Sequence, residues 1–154
     1  MKAARLLTAI TVATALVTAG CGAPPDELRH ELGPLVARFP GIGQPISATW
    51  VLWDNNSDRL SGPGPTTSWI DAIVELEPRR AAELLATASN GGTPAVRDAL
   101  RPHLPPGPFV AGHGLDVAIG GKPGPAQSAA SPWGATGFLE QTGNRLVLNG
   151  VQSP

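Results

Sequence analysis

The chain has 154 residues, of which 42% are hydrophobic and 15% charged, with a formal net charge of −1. That length suits one domain, and the near-neutral balance argues against the basic footprint of a nucleic-acid-binding protein. A single Cys excludes an intrachain disulfide and a thiolate-rich metal site, while 19 Gly and 17 Pro, nearly a quarter of all residues, predict long loops.

The N-terminus reads as an address. Met1, Lys2 and Arg5 form a short basic stretch, and Leu6 to Ala19 is an uncharged, largely apolar run too short for a relaxed membrane span. It ends in Val17-Thr18-Ala19-Gly20-Cys21. These residues resemble the signal peptide of bacterial lipoproteins, in which a box of small residues is cut immediately before an invariant Cys. Ala19 and Gly20 fit the positions beside Cys21, whereas Thr18 departs from the usual Leu. The resemblance covers residues 1–21 and implies a signal peptide at 1–20 and a diacylglyceryl thioether on Cys21. It also implies an acyl chain such as palmitate on the new amine. Two or more chains make a stable anchor where one is marginal. An ordinary secretory signal cut after Ala19 is the alternative. Loss of residues 1–20 takes Lys2 and Arg5 away, so the remainder is mildly acidic.

Residues 21–25 then form a short tether of roughly 15–20 Å at full extension, and 26–154 form one domain. Asp26 is placed to cap a helix. Leu28, Leu32, Leu35, Val36 and Phe39 fall at helical spacing, and Gly33-Pro34 interrupts them. The pattern predicts two short helices, 26–32 and 34–38, whose apolar stripe packs into the core. Residues 46–53 alternate as a strand, 54–67 are a polar loop, and 69–76 are the clearest strand. In that strand Ile70, Ala72, Val74 and Leu76 make the core face, and Asp71 and Glu75 mark a solvated one. The two strands are expected to pair antiparallel. Pro78 opens a helix with Ala81, Leu84, Leu85 and Ala88 inward. Asn90-Gly91-Gly92 is expected to end it through left-handed geometry, and Thr93-Pro94 to start another with Val96, Ala99, Leu100 and Leu104 inward. Leu115 to Ile119 reads as a short strand and 120–131 as a loop. Residues 134–141 and 145–151 read as a hairpin across Thr142-Gly143-Asn144. The order αββααβββ predicts an α+β fold, with an antiparallel sheet of four to five strands and two to three helices covering one face.

No catalytic motif is present: no nucleophile elbow, HExxH, P-loop or dinucleotide fingerprint. Gly62-Pro63-Gly64-Pro65 lies outside a strand-to-helix turn, and its prolines lack the donors a phosphate cradle needs. His103, His113 and Asp116 are suitable ligand types, but their spacing matches no metal site, so neither a metal nor another cofactor is expected. Ser57, Ser68, His113 and Asp71 allow a triad formally, and nothing selects among them. The tryptophans say more. Trp50 belongs to the core by parity, while Trp53 and Trp69 are expected side by side on the outer sheet face next to the 54–67 loop. Exposed Trp beside polar loops is a common binding feature. Trp133, between Pro132 and Gly134, is placed to cover a sheet edge.

Ser61-Gly62-Pro63-Gly64-Pro65-Thr66, followed by Ser68 to Leu76, is similar to a segment of small actinomycete lipoproteins. That likeness spans 20–30 residues and implies source and location, with no activity attached. The Arg-over-Lys, Ala/Gly/Pro-rich usage agrees with such a source. The expectation is an exported protein, lipid-anchored through Cys21 to the outer face of the cytoplasmic membrane. It would bind an envelope protein or a small ligand through Trp53 and Trp69, without catalysis and without nucleic acid. The alternative is a small envelope hydrolase using His113.

Overall fold

A computed structural model describes residues 26–55, 65–120 and 132–152. The signal and Cys21, Ser57, most of the Gly62–Pro65 segment and the loop that holds Lys122 lie outside them. The fold is α+β. Strands β1 (Ser47–Asp54), β2 (Ser68–Glu75), β3 (Asn90–Gly92), β4 (Phe109–Ala111), β5 (Trp133–Glu140) and β6 (Arg145–Gln152) form one antiparallel sheet in the order β1-β2-β6-β5-β4-β3. Helices α1 (Leu32–Arg38), α2 (Pro78–Leu85) and α3 (His113–Ile119) join it, with 3-10 turns at Pro40–Ile42 and Asp98–His103. The described strands number six rather than four or five. The additional ones include β3, where Asn90-Gly91-Gly92 pairs with Phe109–Ala111 instead of closing a helix. No helix among the described residues is long and apolar enough to cross a membrane.

The period-two pattern of the long strands sorts the core. Trp50, Ala72, Leu148 and Gly137 are cross-strand neighbours, as are Ala48, Val74, Leu146 and Leu139. This face meets Leu35, Phe39, Ile42, Ala81, Leu84, Leu115 and Ile119 in the main core. Each such large side chain, fully buried, contributes about 1.5–3 kcal/mol. Trp133 is buried here too, edge-on to Phe39. The opposite face is not left to solvent. Val51, Ile73, Val147 and Leu100 form a second core, with Val96, Ala99, Leu104, Phe109 and Phe138 packed around it. The expectation of one covered face is therefore wrong, because the stretch carrying Val96 to Leu104 lies over the second.

Three local expectations also fail for identifiable reasons. Residues 26–31 are extended, not helical. Arg29 exchanges backbone hydrogen bonds with Trp50 in both directions, at 2.8 and 2.9 Å, and so extends the β1 edge. Helix α1 starts only at Leu32, which puts Pro34 in the first turn, where its missing donor is harmless. Second, Leu115–Ile119 is helical. Leu115 and Ile119 reach the core one turn apart. Glycines stand at both ends, with φ 139° at Gly112 and 106° at Gly120, and turn the chain into and out of α3. Third, the stretch after Pro94 forms only the 3-10 turn, with Pro102 inside it.

Candidate functional site

The second face carries the candidate site. Cross-strand register places Trp53, Trp69, Val151 and Gly134 in one row, and Val51, Asp71, Asn149 and Thr136 in the next. The Val96–Leu104 stretch covers Val51 and the rows beyond, but it leaves this end of the sheet open. The result is a groove of about 670 Å³ with Trp53, Trp69, Asp71, Arg97, Asp98 and Asn149 among its walls.

Trp53 and Trp69 are directly opposed in the β1–β2 register, and their rings stack with centroids 6.0 Å apart and planes 16° from parallel. Both are half-buried. The Arg97 guanidinium lies 4.8 Å from the centre of the Trp53 ring. Its Nε and Nη2 donate to the two Asp26 carboxylate oxygens, each at 2.8 Å. Asp26 is therefore not a helix cap. It is the partner that fixes Arg97 in place, and the paired guanidinium holds its carboxyl below the usual range. The same bridge pins the start of the extended 26–31 segment to the groove wall.

Strand alternation assigns Asp71 to a solvated face, yet it is 7% exposed. The Val96–Leu104 stretch brings the Arg97 backbone N–H onto its Oδ2 at 2.8 Å, and Asn149 Nδ2 donates to its Oδ1 at 2.6 Å. Asn149 Nδ2 also donates to the Ala95 carbonyl at 2.9 Å, which locks that stretch to β6. Burial pushes the Asp71 carboxyl above its ordinary value and outweighs the opposing pull of Asn149 and Arg97. Arg97 and Asn149 belong to the site although neither stands out in the sequence. Asn149 was detectable in principle, as the polar interruption of Leu146-Val147-Leu148 in register with Asp71.

The histidines are placed otherwise. His103 ends the 3-10 turn and His113 starts α3, and both are exposed. Asp116 accepts the Gly137 backbone N–H at 2.9 Å, so its carboxylate positions α3 on β5. His113 and Asp116 border a smaller cavity of about 300 Å³ that shares Thr136, Asn149 and Val151 with the main groove. Among the described residues nothing hydrogen-bonds the His113 ring, and no three His, Cys, Asp or Glu side chains gather as a metal site would need. Ser68 sits in β2, outside any such arrangement. No protein-family model matches this chain, and no curated protein or solved structure matches it either.

Proposed function

We propose that the chain is an exported lipoprotein, held at the outer face of the cytoplasmic membrane through Cys21, and that its domain is a non-enzymatic binding module. The binding surface is the groove beside Trp53 and Trp69. One observation carries this reading: a carboxylate, Asp71, is buried at the base of an open aromatic-walled groove. An ionisable group there lowers stability relative to an apolar residue of similar size, and the neighbouring Val51, Ile73 and Val147 show what packing alone would select. Perturbed titratable groups in a concave site are a mark of function. The hydrolase alternative at His113 draws no such support, since no hydroxyl or carboxylate among the described residues activates that ring.

The two halves of the proposal have separate tests. Mass spectrometry of the processed protein should find Cys21 N-terminal and acylated, and Cys21→Ser should leave the membrane fraction. An N-terminal fragment with unmodified Cys21 would overturn the anchor. For the groove, a thermal-shift screen of small polar compounds should yield a ligand whose stabilisation is lost in Trp69→Leu. Ligands that stabilise both proteins equally would move the site elsewhere.

A further inference from the structure

The groove also states what kind of ligand it can take, provided that the binding-module reading holds. Three carboxylates, from Asp26, Asp71 and Asp98, and one cation, Arg97, line it. The hydrogen-bond inventory around Asp71 leans the same way. Arg97 turns its Nε and Nη2 to Asp26 and keeps the Nη1 hydrogens as the donors on that wall. Both amide hydrogens of Asn149 are committed, to Asp71 and to Ala95, so its remaining capacity is the acceptor Oδ1. Each Asp71 oxygen accepts one bond from the surrounding protein, although an ionised carboxylate can accept about four. The unfilled positions on Asp71 and Asn149 are acceptors, and the lining stays net negative even with Asp98 paired to Arg101 at 2.9 Å. Aromatic faces complete the set: Trp53 has the Arg97 guanidinium over it, and Trp69, stacked on Trp53 through one face, has its other face for a second cation.

We infer that the groove binds an organic cation, an amine or quaternary ammonium group seated between the Trp69 ring and the Asp71 carboxylate. A cation over an indole gains roughly 0.5–2 kcal/mol, more as water is excluded, and a carboxylate beside it adds a direct charge partner. An anion meets net repulsion there. A neutral sugar would use the ring but leave the charge of Asp71 uncompensated. The charged groups that face Asp71 are Asp26 and Arg97, while β1 and β6 present Val51 and Asn149 to it, both neutral. Protonation of Asp71 therefore competes with the cation, so binding weakens as the pH falls through the Asp71 pKa, which burial raises.

The test is a fluorescence and calorimetric titration of the full processed chain at pH 7 and constant ionic strength. The probes are choline, ethanolamine, N-acetylglucosamine and acetate. Choline or ethanolamine should bind saturably and acetate should not. Asp71→Asn and Trp69→Leu should each weaken the amine about tenfold or more. Asp98→Asn, on the exposed rim, keeps the inference falsifiable if the Asp71 variant does not fold, and should weaken binding about two- to threefold in a salt-dependent way. Choline titrations in phosphatidylcholine and phosphatidylglycerol nanodiscs then separate two sources of the same chemistry. A weaker apparent affinity in phosphatidylcholine assigns the site to lipid headgroups, and equal affinities assign it to a soluble amine. Saturable, Trp69-dependent binding of N-acetylglucosamine without any amine overturns the cation and leaves the binding module standing. If no probe binds, the cation inference falls, and the thermal-shift screen decides the module separately.

Discussion

Arg97→Ala offers the sharpest check on how the groove is built. The substitution removes a bidentate ion pair to Asp26, whose side chains are 44% and 19% exposed, and a guanidinium 4.8 Å from the Trp53 ring centre. At that exposure the ion pair is worth about 0.2–1 kcal/mol and the cation–π contact about 0.5–1 kcal/mol, together about 1–2 kcal/mol. The backbone N–H of residue 97 still reaches Asp71, so the loss should be felt where Asp26 was tethered. The extended 26–31 segment then keeps the Arg29–Trp50 backbone pair and the Trp50 Nε1 hydrogen bond to the Glu31 carbonyl at 3.1 Å, but it opens more often. Because 1.4 kcal/mol is a factor of ten, amide exchange at Arg29 and Trp50 should accelerate about 5- to 30-fold. Amides between β2 and β6 should change little. Arg97→Lys should fall between, since an ammonium cannot make the two-pronged contact. Hydrogen exchange read by mass spectrometry on peptides covering 26–31 and 47–54 measures this. Unchanged exchange at those sites, or acceleration spread evenly over the sheet, would refute the pinning of 26–31 by the Asp26–Arg97 bridge.

Two further expectations concern pH and packing. Asp71 and Asp26 should give opposite pH signatures in urea denaturation between pH 3 and 8. The Asp71 carboxyl is raised above 3.8 in the fold, so its favourable contribution is present below that value and is lost as pH rises through the folded pKa. The Asp26 carboxyl is lowered, so its contribution is present above 3.8 and is lost as pH falls through the folded pKa. Relative to wild type, Asp71→Asn should therefore fare better as pH rises, and Asp26→Asn as it falls; slopes of one sign for both would contradict the assignments. In the main core, a Cβ on Gly150 would lie 2.5 Å from Phe39 Cζ, and Phe39 is fully buried against Trp133. Gly150→Ala should cost about 1–3 kcal/mol by overpacking, and Phe39→Leu in the same chain should recover part of it. A cost below about 0.5 kcal/mol, with no coupling in the double-mutant cycle, would show that the ring has room to move.

The long strands were legible because their alternation is regular and each fills a buried face. Strands β1, β2, β5 and β6 fall within a residue or so of where their patterns end, and Pro78 opens α2 as its position suggests. Short apolar runs were not legible. Leu115 to Ile119 fits a buried strand and a two-turn helix equally well; the flanking Gly112 and Gly120, and the packing of α3 on β5, decide between them. Asp26 reads as a cap only while its distant partner is unknown. The site was half visible. The parity of Trp53 and Trp69 put them side by side, but parity assigns a side chain to a face and says nothing of what covers that face. Asp71 looked solvated for this reason, and Arg97, 71 positions beyond Asp26, has no local signature at all.

The strand order has a temporal side. β6, the last described strand, lies between β2 and β5 and is in register with both over most of their length. A growing chain can make the β1–β2 ribbon early, but the inner edge of β2 waits for residues 145–152. The middle of the sheet is thus the last part to be supplied, and few local contacts can stand in for it meanwhile. A chain cut short before residue 145 would lose the seam that joins the two halves of the sheet, together with Asn149, rather than a dispensable margin. Until that strand arrives, the molecule has two unjoined ribbons and no groove.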